Sequence, residues 1–480
     1  MINLQPLRCL NRTIAGNKLW LLALTGASVT QTAAIAQQSP NIIYILADDL
    51  GIGDLGCYGQ QKIKTPNIDR MAREGMLFTQ HYSGSTVSAP SRSALLTGLH
   101  TGHTPIRGNQ EVSPEGQQPI PAETPTMAQI LKTAGYATGA FGKWGLGYPG
   151  SEGDPNMKGF EEFYGYNCQR QAHKYYPEYL YHNQTRVELP ENKNFANKVY
   201  VQDLIHQQAI QFIKDNKNKP FYAYLSYVLP HAELAGPNDS ILAMYAGKFE
   251  EKPYKGSNYS YGSCEMPRAM YAAMVTRLDA YVGEVMDLLV KQGIDKNTIV
   301  IFTSDNGGHM EGGNDPEFFN SNAQFTGYKR DLTEGGIRTP MVAWWPQTIK
   351  PGSVSNHISA FWDILPTAAD MAGIKAPKNL DGISMLPTLT GKGKQKQHQH
   401  LYWEFHEMGG KRAIRQGNWK AIQLNYGKEQ PDAIQLFDLS KDEAEQNNLA
   451  DQNPKLVKKL AKMMDQARTP SETFNFGRKN

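Results

Sequence analysis

Residues Asn41 to Ala47 read NIIYILA, an unbroken apolar run bounded by polar residues. A short run of that kind predicts a strand buried on both faces. Similar short runs at Tyr136–Phe141, Phe221–Val228 and Thr298–Phe302 predict further strands. Between them lie helical patterns at Ile68–Gly75, Thr126–Ala134 and Val199–Lys214. The clearest helix is Arg268–Lys291, where Met270, Met274, Leu278, Val282, Met286 and Leu289 recur at three- and four-residue steps before Gly293 ends it. Strands alternating with helices predict an α/β fold with a mostly parallel sheet. Tyr148–Glu191 and Glu233–Glu265, rich in polar residues and Gly, read as loops. Past residue 390 the pattern changes. The polar stretch GKGKQKQHQH is followed by strand-turn-strand character over Leu401–Leu439 and an amphipathic helix over Pro454–Arg468, which predicts a smaller α+β subdomain over 391–480. No internal repeat is present.

Composition changes this picture little. The chain has 480 residues, 40% hydrophobic and 20% charged, ordinary for a globular protein. A net charge of +3 with no long basic run gives no reason to expect a nucleic-acid partner. The N-terminus adds a targeting signal. Arg8, Arg12 and Lys18 precede the short apolar stretch LWLLAL, and Ala34-Ile35-Ala36 supplies a small-x-small cleavage pattern. Residues 1–36 therefore read as a signal peptide, with export to a periplasm or beyond and no stable membrane insertion. An uncleaved anchor is the alternative. The mature chain keeps Cys57, Cys168 and Cys264, which allow one disulfide and no disulfide scaffold.

In open α/β sheets, ligands bind beyond the carboxyl ends of the strands. There the first strand delivers Asp48-Asp49, the strand at 298–302 delivers Asp305-Asn306, the strand at 136–141 delivers Lys143, and the strand at 221–228 delivers His231. The acids and the amide are all oxygen donors, which select Ca²⁺, Mg²⁺ or Mn²⁺ over zinc or copper. Three carboxylates gathered without a cation would repel one another. In TVSAPSRSALLTG, Pro90 suits a first helical turn and Gly98 suits a helix end. Ser88 thus falls at a helix N-terminus, where anions are favoured, with Arg92 one turn on. A simple helix cap is the alternative reading of Ser88.

These residues carry a resemblance. SAPSRSALLTG resembles the signature of the type I, formylglycine-dependent sulfatases of the alkaline phosphatase superfamily. NIIYILADDLGIGDLGCYG and VIFTSDNGGH resemble the family's two metal strands, and GYATGAFGKWGLG resembles its second signature. PFYAYLSYVLPHAE resembles the strand bearing its sulfate-binding histidine, and GYKRDLTEGGIRTPMVAWWP the segment bearing its second active-site lysine. The resemblance spans roughly residues 39 to 468, closing on LFDLSKDEAEQNNLA. It implies a large mixed, mostly parallel sheet sandwiched by helices over 37–390 and an antiparallel C-terminal sheet. It further implies that Ser88 is oxidised to Cα-formylglycine (3-oxoalanine) by a radical maturing enzyme before export. The hydrated aldehyde, held on one Ca²⁺ with Asp48, Asp49, Asp305 and Asn306, would attack sulfur and form a covalent sulfoenzyme. Arg92 would support the formylglycine, while Lys143, His231 and Lys329 would surround the sulfate, with Lys329 or His231 as general acid.

One position departs from the pattern. Where the family's second signature carries a histidine that contacts the diol, this chain has Gly145. His103, His173 and His309 are candidate replacements. NCQRQAHKYY and HMEGGNDPEFF read as pocket loops, which makes Gln169, His173, His309 and Asp315 candidate sugar contacts. An exported sulfatase points to a sulfated glycan substrate. The rival readings are a phosphodiesterase or phosphonate hydrolase of the same superfamily and a catalytically silent glycan-binding homologue.

Overall fold

The apolar run Asn41–Ala47 (β1) lies at the middle of a ten-stranded sheet and is buried along its whole length. In this computed structural model, residues 39–257 and 261–477 are described, so the signal-peptide reading falls on residues outside them. The remaining strands in chain order are Met76–Phe78 (β2), His81–Tyr82 (β3), Ala137–Lys143 (β4), Glu162–Tyr166 (β5), Tyr179–His182 (β6), Thr185–Glu188 (β7), Phe221–Ser226 (β8) and Thr298–Ser304 (β9). They continue with Met341–Trp344 (β10), Ser353–Ser355 (β11), Ser359–Ala360 (β12), Leu401–Phe405 (β13), Lys411–Gln416 (β14), Trp419–Gln423 (β15) and Gln435–Asp438 (β16).

The large sheet runs β11-β2-β10-β9-β1-β8-β4-β5-β6-β7. Its centre, β9-β1-β8-β4-β5, is all parallel, while β10 and β6 pair antiparallel with their neighbours. The helices Pro66–Glu74, Val201–Asn216 and Pro267–Gln292 contribute to the core on one face. The helices Ser88–Thr97, Met127–Thr133 and Ile364–Met371 contribute to the core on the other. Both faces of the central strands are thus covered, which is why those strands are apolar without alternation. The fold is the large mixed, mostly parallel sheet between helices that was expected.

One expectation needs correction. The loop read over Tyr148–Glu191 contains β5, β6 and β7. β5 extends the parallel ladder from β4, and it does so through glycine. A side chain at Gly165 would meet the Gly142 carbonyl oxygen at 1.9 Å. Strands β6 and β7 carry the edge, where half-exposed residues show little periodicity. Cys57, Cys168 and Cys264 are all unpaired, so the possible disulfide does not form among the described residues.

The C-terminal sheet, β13-β14-β15-β16, is separate and fully antiparallel. One face packs Trp403 and Phe405 with Tyr82, Val87 and Trp362, next to the Ser88–Thr97 helix. The other face packs under the helix Pro454–Gln466 through Leu460 and Met464.

Candidate active site

The parallel strands end together, so the residues just past them converge. Asp48 and Asp49 follow β1, and Asp305 and Asn306 follow β9; all four are buried. The backbone turns sharply there, with Asp49 in the left-handed region at φ 63°. Asp49 N–H donates to Asp305 Oδ1 at 3.1 Å, which ties the two strand ends together.

Ser88 opens the helix Ser88–Thr97, but its hydroxyl does not cap that helix. Instead Ser88 Oγ donates to Asp48 Oδ1 at 3.0 Å and accepts from Lys143 Nζ at 3.1 Å. Lys143 Nζ also donates to Asp48 Oδ2 at 2.6 Å. Arg92 is fully buried one turn along. Its guanidinium donates to Asp305 Oδ2 at 2.9 and 3.2 Å, to the Lys143 carbonyl at 3.3 Å and to Ser226 Oγ. Arg92 thereby links the helix to three strand ends.

On Asp49 a second basic group gathers. Lys329 Nζ donates to Asp49 Oδ2 at 2.8 Å and to Glu311 Oε2 at 2.9 Å. It also lies 3.4 Å from His231 Nε2. His231 Nδ1 is bonded to the Ala232 carbonyl, which only accepts, so Nδ1 carries the proton and Nε2 is the acceptor. Burial, joined by the Lys329 charge, pushes His231 down to about 4 against the pull of Asp49.

The charges here are strongly unbalanced from place to place. Burial raises the Asp48 carboxyl, but Lys143, His231 and Arg92 outweigh it and hold that group far below the usual carboxylate range. Asp305 goes the other way. Burial and the neighbouring Asp48 push it up to about 7, against Arg92 and Lys143. A resident cation would relieve that repulsion. The donors fit one. Asn306 Nδ2 is committed to Asp49 Oδ1 at 2.7 Å and to the Gly307 carbonyl at 3.0 Å. Its Oδ1 is buried with no partner among the described residues, an oxygen left for a metal. Three carboxylates and an amide oxygen suit Ca²⁺ or Mg²⁺.

The structure thus brings Asp48, Asp49, Ser88, Arg92, Lys143, His231, Asp305, Asn306 and Lys329 into one cluster. The looser candidates scatter. His173 stacks on His231, with ring centres 5.1 Å apart and planes 17° apart. His309 is buried, and both ring nitrogens face backbone groups, Pro230 O at 3.2 Å and Glu311 N–H at 3.1 Å. It holds a loop and has no nitrogen free for a sugar or a proton relay. Asp315 caps the short helix Pro316–Phe319 and pairs with Arg268 at 2.6 Å, so its carboxylate is also spent on structure. His103 is bonded to Asp381 at 2.9 Å. Gln169 occupies the space beside Gly145: a side-chain carbon there would meet Gln169 Nε2 at 2.3 Å. That amide nitrogen is buried and has no partner among the described residues.

Three site residues were not foreseen. Glu311 joins Lys329, Arg330 (2.5 Å) and Tyr261 (3.2 Å). Glu311 sits in a stretch marked as a pocket loop, yet nothing local separates it from the other acids nearby. Arg330 and Tyr261 carry no sequence signal beyond their neighbours.

A buried oxygen-donor cluster at the carboxyl ends of parallel strands, lined by two lysines and an arginine, is suited to holding a divalent cation and an anionic ester. Comparison with known proteins supplies the family. The sulfatase domain matches residues 40–374, and the N-sulphoglucosamine sulphohydrolase C-terminal domain matches residues 325–470. The chain belongs to the sulfatase family, and it is a sulfuric ester hydrolase. It is 33% identical over 399 residues to N-acetylgalactosamine-6-sulfatase of Canis lupus familiaris, covering 78% of this chain and 70% of that one. It is 30% identical over 527 residues to N-acetylgalactosamine-6-O-sulfatase of Bacteroides thetaiotaomicron, covering 90% and 94%. Among solved structures, Ps i-CgsB in complex with k-i-k-neocarrahexaose superposes with a TM-score of 0.74 at 30% identity, covering 89% of this chain and 92% of that one.

Proposed function

We propose that this protein is an exported sulfatase that removes a sulfate ester from a sulfated glycan. It would use Ser88 oxidised to Cα-formylglycine and one Ca²⁺ held by Asp48, Asp49, Asp305 and Asn306. The observation that carries the reading is the meeting of Asp48 and Lys143 on Ser88 Oγ, with no histidine hydrogen-bonded to that hydroxyl among the described residues. Once hydrated to a geminal diol, the oxidised residue would supply the hydroxyl oxygen that attacks sulfur, and a bound cation would supply positive charge beside it.

The chain's own groups do the rest. Lys143 Nζ holds the oxygen of residue 88 and offers charge to a sulfate oxygen. Arg92 fixes Asp305 and the Lys143 carbonyl, so the nucleophile side is rigid before substrate arrives. Lys329 carries protons next to the unprotonated His231 Nε2, which makes Lys329 the donor to the departing alcohol. The two buried lysines favour a sulfate ester over the phosphate readings, in which a second metal takes the place of such side chains. A glycan is favoured by the substrates in the relatives' names and by the N-terminal targeting pattern. Export to a periplasm or beyond and maturation by a radical enzyme complete the reading. No helix among the described residues is long and apolar enough to cross a membrane.

The test has two parts. Intact-mass analysis of the protein co-expressed with a maturing enzyme should show the loss of two hydrogen atoms at Ser88. That protein should release free sulfate from 6-O-sulfated N-acetylgalactosamine or a sulfated galactan, and Ser88→Ala should not. Sulfate release by protein with wholly unmodified Ser88 would sink the formylglycine part. Modified protein inert on every sulfated saccharide would sink the glycan part.

A further inference from the structure

A surface cavity of about 620 Å³ lies near the active-site cluster, with Lys174, Tyr176, Tyr179, Asn194, Asn197 and Glu233 in its wall. We propose that it holds the neighbouring units of a glycan chain whose sulfated unit sits in the catalytic pocket, so that the substrate is an oligosaccharide and not a single sulfated sugar. This inference rests on the sulfatase reading.

The two spaces share one wall. Three chain segments each give one residue to the catalytic side and a near neighbour to the cavity. His173 and His231 stack at 5.1 Å, and Tyr261 lies 5.4 Å from His173 and bonds the site residue Glu311. Lys174, Glu233 and Gly262 line the cavity. Glu233 Oε2 accepts from Lys174 Nζ at 2.8 Å and from Gly262 N–H at 2.9 Å, which clamps the three segments together. The same three segments therefore border both the active-site cluster and the cavity, and a saccharide passing over His173 and Tyr261 would next meet Lys174 and Gly262.

The lining suits a neutral, hydroxyl-rich ring. Two tyrosines supply apolar faces, and the exposed Asn194 and Asn197 supply carboxamides. Of the lining charges, Lys174 pairs with Glu233 and the Glu178 carboxylate has no cation partner among the described residues; Arg186 covers one face of Tyr179 at 3.6 Å. The wall is also built firmly. Asn192 bonds the Pro177 carbonyl at 2.9 Å and Val199 through both ends of its amide at 2.8 Å. The volume falls in the range of about 300–1,000 Å³ usual for small-molecule sites.

The experiment compares 6-O-sulfated N-acetylgalactosamine with a tetrasaccharide carrying the same sulfated unit, using the matured full chain and its Tyr176→Ala and Asn197→Ala variants. The wild type should prefer the tetrasaccharide, and the ratio of kcat/KM for tetrasaccharide over monosaccharide should fall roughly tenfold in Tyr176→Ala, as for an aromatic anchor. Equal rates on both lengths in the wild type, or an unchanged ratio in both variants, would overturn the proposal. If neither probe is cleaved, it is the sulfatase reading on this sugar that fails. Calorimetric titration with the desulfated tetrasaccharide then decides the cavity by itself. Binding weakened by Tyr176→Ala supports it, and no binding at millimolar ligand overturns it.

Discussion

Lys143 is the only lysine among the described residues that bonds both Ser88 and Asp48, and removing it does two things at once. Charge at the reacting oxygen is lost, and Asp48 keeps Arg92 at 3.6 Å as its nearest side-chain cation. Lys143→Ala should cut kcat by about 10²–10³, the usual cost of a lost preorganised donor. Steady-state kinetics checks this; a loss confined to KM would reassign Lys143 to ground-state binding. The metal assignment has its own readout. Chelation by EGTA should lower the melting temperature and Ca²⁺ should restore it, because a ligand at 100 times its Kd stabilises by about 2.7 kcal/mol. A melt indifferent to both would remove the cation from Asp48, Asp49, Asp305 and Asn306. Gly145 is held at φ +76° with Gln169 Nε2 at 2.3 Å from a virtual side-chain carbon. Gly145→Ala should therefore cost about 1–2 kcal/mol, and Gln169→Ala should recover only the part due to the clash. Denaturant titration of the single and double variants separates the two terms. At this scale the acids were readable because Asp48-Asp49 follows the apolar run of β1 directly and Asp305-Asn306 follows that of β9 after only Thr303-Ser304. His309 and Asp315 were not, because a loop histidine bonding backbone and a loop aspartate capping a helix look in sequence like ligands.

Strands β1 and β9 were legible for the same reason that they matter: buried on both faces, their centres, residues 42–47 and 299–302, run without polar alternation to blur the pattern. Strands β5 to β7 were hidden. Their residues mix aromatic, charged and glycine positions, and what makes β5 a strand is the close glycine approach to β4, a tertiary fact. In the C-terminal sheet β13 carries a buried charge, Glu404, that no pattern announced. It accepts from Arg107 at 3.2 Å, Arg468 at 2.9 Å and His406 at 2.8 Å. Burial raises this carboxyl, but His406, Arg107 and Arg468 prevail and lower it from 4.5 to about 2. A depressed carboxylate contributes stability above its unfolded value, and that contribution fades as pH falls from 4.5 toward 2. The gap in unfolding free energy between wild type and Glu404→Gln should thus be widest above pH 4.5 and close toward pH 2. Urea melts across that window measure it, and a gap independent of pH would show that Glu404 acts by packing alone.

For the whole molecule, the C-terminal sheet holds the segment that carries Lys329. Lys411 Nζ donates to the Arg330 carbonyl at 2.8 Å, and Lys420 bridges Glu334 at 2.8 Å and Glu445 at 2.9 Å in full burial. Lys420→Met leaves two buried carboxylates facing each other and should cost about 3–5 kcal/mol, with a fall in kcat/KM as the Lys329 segment loosens. Thermal melts and kinetics on one preparation test both halves. The polar stretch near 390 marked where the pattern changes but gave no hint of this dependence, since contacts between distant segments leave no local trace.

Ser88 is 3% exposed, and the face beside its helix is covered by Trp403, whose indole N–H bonds the Ser83 carbonyl at 3.0 Å. Trp403 is made more than three hundred residues after Ser88. Under the proposed maturation, an enzyme that must reach Ser88 would work against a clock: it would have to finish while the chain is still open, before the last-made sheet closes the door.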